Sequence, residues 1–327
     1  MNNIKPLFSI IVPTRDRPDD LKVAVDSLLS QKSKDFEVIV VVDGSTMESL
    51  AKYKTLDANY GVKVKFFYLI QTTKGHGHCF VRNYGVSKSL GLYIAFLDDD
   101  DEWIDSDHLF NVGKDIKDIG KFDLYLTNQY AVDSDGQKKS DIWIAGLSDT
   151  LSQNKPKTTS GTMIVSADEL LKLFGFCHMN CLVISKELFL EVGGMDECLR
   201  YEPDRDIYNR AIDTANLILF NASYTSKHNI PDPSLKNNAS TMISLIEKKL
   251  FQLRTADKGI LFSTNETLRS SCKLAKHYHF QHITEELKCQ GKYDIAIHYG
   301  WLAFASKPSF RWFLFLFYLY FAKSFKS

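Results

Sequence analysis

The stretch Tyr93-Ile-Ala-Phe-Leu-Asp-Asp-Asp-Asp101 decides how this chain folds. Its apolar half, Tyr93–Leu97, has the length and composition of a buried strand, and it stops at four consecutive carboxylates. A second run has the same build: Val38-Ile-Val-Val-Val42, entered from Glu37, is wholly apolar and stops at Asp43-Gly44-Ser45. Working outward, Phe8-Ser-Ile-Ile-Val12 predicts a first strand. Pro18 with Asp19 and Asp20 then opens a helix whose apolar face is Leu21, Ala24, Val25, Leu28 and Leu29. Val64–Leu69 predicts a third strand and Cys79–Leu90 a helix. Apolar strands separated by helices mean an α/β fold with a mainly parallel sheet covered on both faces. Such sheets bind ligands outside the carboxyl ends of their strands, and two of those ends are acidic here.

The chain has 327 residues, enough for one α/β domain of about 220–250 residues and a helical appendage. Hydrophobic residues make up 44% and charged residues 24%, which argues against disorder. The balance of 40 basic and 40 acidic residues argues against a general nucleic-acid binder. Asn221–Asn238 reads as a crossing strand and then a loop marked by Pro231 and Pro233. From Ala239 strand signals fade, and helical stretches follow at Ser240–Leu253, Glu266–Phe280 and Lys292–Ala305. The expected organisation is a domain over 1–238 and a helical region over 239–327.

Six scattered cysteines, with no signal-peptide pattern ahead of the first strand, are expected to be reduced thiols in a cytoplasmic protein. Cys177 and Cys181 with His178 between them suggest zinc, but no second ligand pair follows at finger spacing. Near the end, Trp312–Ala322 is entirely apolar and is flanked by Lys307, Arg311, Lys323 and Lys326. Eleven helical residues rise about 17 Å against about 30 Å of hydrocarbon, so this tail, about 307–327, is too short to span a bilayer. It suits a membrane interface, peripheral on the inner face of the cytoplasmic membrane; a helix packed on the domain or in a dimer is the alternative.

Asp98–Asp101 is the strongest local signal for chemistry. Four adjacent carboxylates repel one another unless a cation is present. Mg²⁺ and Mn²⁺ take oxygen ligands and hold phosphates alongside one or two carboxylates. The plainer alternative is a solvated acidic turn capping a helix that starts near Asp105.

Four segments in order resemble family-two glycosyltransferases of the GT-A fold. They are Phe8-Ser-Ile-Ile-Val-Pro-Thr14 with Arg15-Asp16-Arg17-Pro18 and Ser27–Gln31; Val41-Val42-Asp43-Gly44-Ser45-Thr46; Arg82-Asn83-Tyr84-Gly85 with Tyr93–Trp103; and Val192-Gly193-Gly194-Met195-Asp196-Glu197 with Asp204-Arg205-Asp206 and Arg210. The likeness runs from Phe8 to Ile230. It implies a Rossmann-like mixed, mainly parallel sheet, an inverting mechanism and a bacterial surface-polysaccharide setting (lipopolysaccharide, O-antigen or capsule). The implied donor is a nucleotide sugar, a UDP-sugar by analogy, and the implied acceptor a glycan or lipid-linked hydroxyl.

The resemblance also assigns residues. Pro13, Thr14, Arg15, Asp43, Arg82, Asp98 and Asp99 match the nucleotide-sugar site, with Asp43 on the base or ribose. Asp98 and Asp100 match the Asp-x-Asp pair, Asp100 being the direct ligand of Mn²⁺ or Mg²⁺, and His228 fits a histidine that completes the metal or diphosphate site. Asp204 matches the catalytic base; His178, Asn180, Gly194 and Glu202 fall on the acceptor side. Two departures stand out: Val42 replaces an acidic residue before Asp43, and Pro203 precedes Asp204, with Glu202 one place further back. A sugar nucleotidyltransferase would carry a glycine-rich phosphate loop where this chain has Pro13–Pro18 without glycine. A non-catalytic nucleotide- or glycan-binding relative is the other alternative, and the intact acidic set argues against it.

Overall fold

β1 (Phe8–Thr14) and β2 (Phe36–Val42) are buried almost throughout, as their apolar runs require. With β3 (Val64–Tyr68) and β4 (Tyr93–Phe96) they pair in parallel in the order β3-β2-β1-β4. Side chains alternate between the two faces. Ile10, Val12, Val38 and Val40 meet Leu21, Ala24, Val25 and Leu28 of α1 (Pro18–Leu29) and Tyr53 of α2 (Met47–Tyr60). On the other face, Ile11, Ile39, Val41, Ile94 and Phe96 meet Val81 and Val86 of α3 (His78–Lys88). The strand order reverses at β1, which has β2 on one side and β4 on the other. The carboxyl ends of β1 and β4 therefore lie where such sheets open a ligand crevice.

The computed structural model describes residues 5–139, 143–152, 154–231 and 242–325. Beyond β4 come β5 (Glu102–Trp103), α4 (His108–Ile119), β6 (Leu124–Val132), β7 (Lys138–Lys139), α5 (Leu147–Thr150), β8 (Met163–Val165) and α6 (Ala167–Leu170). Then follow β9 (Leu182–Ser185), α7 (Lys186–Glu191), α8 (Pro203–Thr214) and β10 (Ile218–Asn229). The full order is β3-β2-β1-β4-β9-β6-β10-β5, with β7 on β6 and β8 on β10. β9 runs antiparallel to β4 and β6, while β6 and β10 are parallel to each other. The sheet is mixed, and its parallel character is concentrated in the half built from apolar runs. The helix expected near Asp105 begins at His108, and its N-cap, Asp107, makes no side-chain cap. The acidic run is not a cap for it: Asp99 and Asp101 are buried.

The chain divides into two units, Met1–Asp232 and Pro233–Ser327. The expected boundary at 238 lies outside the described residues. In the second unit, α9 (Leu245–Phe262) starts later than Ser240 because Ser244 and Glu247 form a capping box. α10 (Glu266–Cys289) runs past Phe280, and α11 (Tyr293–Ser306) and α12 (Phe310–Ser324) complete the unit. Its core contains Leu253, Phe280, Ile283, Leu287, Ala296, Ile297, Trp312, Leu316 and Leu319. No helix among the described residues is long and apolar enough to cross a membrane.

Candidate active site

Each carboxylate of the acidic run is held by a side chain from elsewhere in the sequence, and Arg17 reaches two of them, Asp100 and, at 3.4 Å, Asp99. Asp98 is ion-paired with the buried guanidinium of Arg82. Asp99 accepts from Thr14 Oγ1 at 2.7 Å, and Thr14 also bonds the Tyr53 hydroxyl at 2.8 Å. Asp100 pairs with Arg17 Nη1 at 2.6 Å. Asp101 accepts from Asn180 Nδ2 at 2.5 Å and from Asn229 N–H at 2.8 Å, and lies 2.8 Å from His228 Nδ1. Asn180 also accepts the Asp98 N–H at 3.1 Å, so one amide ties both ends of the run.

These partners do not neutralise the run evenly. Burial opposes ionisation of Asp98, but Arg82, and then His178 and His228, outweigh it and hold the carboxyl down at about 2. Asp99 is pushed up to about 7 by burial and then by the charge of Asp100. Asp100 is pushed up to about 6 by burial and then by Asp101 and Asp98. His228 is raised: burial lowers it, but its bond to Asp101 and the surrounding carboxylates win. Burial and like charge thus leave Asp99 and Asp100 in want of positive charge, which a divalent cation would supply. Ligand atoms of Asp98, Asp101 and His178 lie within 4.8 Å of one another. The residues present therefore fit a divalent ion. The sequence pointed to Asp100 and His228; here Asp100 is turned to Arg17 and His228 supports Asp101.

A second carboxylate closes the space. Asp204 stands in the first turn of α8, after Pro203 and a left-handed Glu202 with φ of 47°. His178 Nε2 is 3.6 Å from Asp204 Oδ2 and 4.0 Å from Asp98 Oδ2. Glu202 instead pairs with Arg205 Nε at 3.0 Å. Gly194 has φ of 65° and lies in a turn beside Asn83, whose side-chain oxygen accepts the Met195 N–H at 2.9 Å.

Asp43 lies at the end of β2, and its N–H bonds the Thr14 carbonyl at 2.9 Å. Its carboxylate accepts the His76 N–H at 2.9 Å and the Gly77 N–H at 3.2 Å, and meets His76 Nδ1 at 2.7 Å. Gly75, at φ of 70°, permits this fold-over, because a Cβ there would strike Arg15 and the Asp43 carboxylate. Arg15 holds the loop through the Thr72 carbonyl at 3.4 Å. Pro13 stands in β1 opposite Val41.

Sequence reasoning missed four contributors: Arg17, His76, Asp101 as a separately held carboxylate, and Trp143. The Trp143 ring stands edge-on to His178 at 5.3 Å and to His228 at 5.4 Å, and those two rings lie 5.1 Å apart. Its φ of 53° is left-handed, a strained state for a bulky residue. Gly175 packs against the Trp143 carbonyl, and a Cβ at 175 would overlap that oxygen. Gly175→Ala is therefore expected to lower stability by about 1–3 kcal/mol. A melt that did not move would show that the Trp143 loop is loosely held. Cys177 and Cys181 belong to the hydrophobic core, with both thiols pushed up by burial.

The family model described as Glycosyl transferase family 2 matches residues 9–181. An uncharacterised glycosyltransferase of Rickettsia typhi is 27% identical over 249 residues, which cover 75% of this chain and 71% of that protein. TuaG of Bacillus subtilis, named for teichuronic acid biosynthesis, is 32% identical over 106 residues, 32% of this chain and 39% of that one. Among solved structures, Staphylococcus aureus TarS 1-349 in complex with UDP-GlcNAc matches with a TM-score of 0.66 at 17% identity, over 97% of this chain and 88% of that one. The mannosyltransferase PcManGT of Pyrobaculum calidifontis, in complex with GDP-Man and Mn²⁺, gives 0.57 at 13%, over 96% and 79%. At these identities the structural likeness is one of fold. The family match covers more than half of the chain, from β1 to the segment carrying His178 and Asn180, so this chain belongs to glycosyl transferase family 2 and is a glycosyltransferase.

Proposed function

We propose that this enzyme transfers a sugar from a nucleoside-diphosphate sugar, a UDP-sugar first among the candidates, to a hydroxyl of a glycan or lipid-linked acceptor. The reaction inverts the anomeric carbon, depends on Mn²⁺ or Mg²⁺, and serves the assembly of a surface polysaccharide. The observation that carries this reading is the convergence of Asp98 and Asp204 on His178, at 4.0 and 3.6 Å. A donor-side carboxylate and a candidate base thus face one small space. The UDP-GlcNAc in the TarS complex, the Mn²⁺ in the mannosyltransferase complex and the biosynthetic name of TuaG support the donor, cation and setting.

In this reading Asp43 and Arg15 bind the nucleoside at the end of β2, and Asp98 and Asp101 would hold the cation, with Asp100 joining them in exchange for its pair with Arg17. A divalent ion held by those residues would supply positive charge against the charge that builds on the leaving diphosphate. Asp204 takes the acceptor hydroxyl proton as that oxygen bonds to the anomeric carbon. The bond from that carbon to the diphosphate breaks, and the nucleoside diphosphate leaves on the opposite face. One base with direct attack inverts the centre. Asn180 positions the acidic run, and His178 lines the path between base and donor.

The donor is identified by thermal shift across a panel of nucleotide sugars in Mn²⁺. A donor at 100 times its dissociation constant is expected to add about 2.7 kcal/mol of stability. No shift with any nucleotide sugar would overturn the reading, and binding without turnover would point to a non-catalytic relative.

A further inference from the structure

The Pro233–Ser327 unit carries an exposed apolar face opposite the one it uses for packing. Phe310, Leu314, Phe317, Phe321 and Phe325 recur at helical spacing along α12 and its C-cap, and each is more than half exposed. Trp312, Leu316 and Leu319, on the other side of the same helix, are buried in the unit's core. Trp301 and Leu302 of α11 extend the exposed surface, and the Trp301 indole N–H bonds the Tyr320 hydroxyl at 3.1 Å, joining the two helices. Scattered apolar side chains are ordinary on a surface; a continuous patch of this kind marks an interaction site.

The charge distribution says what covers it. Pro233–Ser327 holds fourteen Lys and Arg against six Asp and Glu, a surplus of eight positive charges. The whole chain balances at 40 and 40, so Met1–Asp232 carries an acidic surplus of the same size. Lys307 and Arg311 are exposed at the start of the aromatic face.

We propose that the Pro233–Ser327 unit docks on an anionic phospholipid surface, with the Phe310–Phe321 face of α12 seated in the headgroup boundary. α12 has 15 residues. It rises about 22 Å against about 30 Å of hydrocarbon, so it lies along the interface and does not cross. Aromatic side chains with basic neighbours are favoured at that depth, and each basic residue near an anionic leaflet adds to the attraction. A second copy of this unit would bring the same positive surplus to the contact, which like-charge repulsion opposes. An anionic bilayer complements both the charge and the apolar face.

This inference does not depend on the donor or acceptor, because docking requires no turnover. The full chain is to be co-sedimented with vesicles of phosphatidylcholine and of phosphatidylcholine mixed with phosphatidylglycerol, at low and high salt. Partition onto the mixed vesicles is expected to exceed that onto pure phosphatidylcholine by about tenfold or more, and to fall at high salt. Phe317→Ser with Phe321→Ser, and separately Lys307→Glu with Arg311→Glu, are each expected to reduce that partition by about tenfold. The second pair leaves the apolar face intact, and unchanged thermal melts verify folding for both. Equal binding to the two vesicle types, or binding to neither, overturns the proposal. It is also overturned if the serine pair dissolves a dimer while vesicle partition is unchanged.

Discussion

Asp204→Asn is expected to lower the rate constant for transfer by about 10²-fold or more while leaving the fold and donor binding in place. The side chain is nearly isosteric, and its present contacts are modest: the Met179 N–H at 3.4 Å and His178 Nε2 at 3.6 Å. An amide oxygen can take over the Met179 contact, so the change removes a proton acceptor more than a structural bond. The competing role is that of a helix-start acid. Asp204 occupies the first turn of α8, where a carboxylate gains from the helix dipole. If that were its only task, the mutant would lose about 0.3–1 kcal/mol of stability and turn over normally. Glu202 is the control. Its carboxylate is paired with Arg205, and its left-handed backbone directs the chain into α8. Glu202→Gln is expected to cost little in turnover. Melting temperature, donor affinity and turnover measured on both mutants separate the two roles. An active Asp204→Asn beside an inactive Glu202→Gln would move the base to Glu202.

What the sequence made legible, and what it hid, follows from how each half of the sheet is built. β1, β2 and β4 are runs of apolar residues, buried on both faces, and periodicity reads them directly. β6 goes unread and β10 is read only from Asn221, because beyond their apolar starts both are polar inside: Thr127 bonds Thr225 at 2.6 Å, Gln129 accepts from Ser226 at 2.8 Å, and Asn128 donates to the Ala222 carbonyl at 3.0 Å. Such strands are stabilised by side-chain bonds between neighbours, and a hydrophobic pattern does not register them. The candidate site divides in the same way. Thr14, Asp43, Asp98 and Asp204 stand at ends of strands or starts of helices, so motif and topology locate them together, while Arg82, inside α3, is located by motif alone. The orientation of four consecutive aspartates is set by partners far away in sequence, Arg17, Arg82, Asn180 and Asn229, and no local rule assigns which carboxylate meets which. Trp143 is hidden for another reason: its left-handed backbone is imposed by its surroundings, and nothing about tryptophan predicts it.

Removing divalent cations with excess chelator is expected to abolish transfer, by about 10³-fold where the cation supplies several kcal/mol of charge stabilisation. The structure supports a test that does not rely on turnover. Asp100 is repelled by Asp98 and Asp101 and is answered by Arg17. Asp100→Asn relieves that repulsion, so without metal the mutant is expected to melt no lower than the wild type. Its Mn²⁺ affinity, read from the paramagnetic resonance signal of free Mn²⁺, is expected to fall by about tenfold or more, because a carboxylate ligand contributes charge that an amide lacks. His178→Ala provides the comparison, since the His178 ring nitrogen is grouped with Asp98 and Asp101. If His178 only lines the acceptor path, its loss leaves Mn²⁺ binding nearly intact and slows transfer. If Mn²⁺ binding instead collapses in His178→Ala and survives in Asp100→Asn, then Asp98, Asp101 and His178 are the ligands and Asp100 belongs to Arg17. Full activity of the wild type in excess chelator would remove the cation from the reaction altogether. Burial and mutual repulsion alone would then account for the raised carboxyls of Asp99 and Asp100.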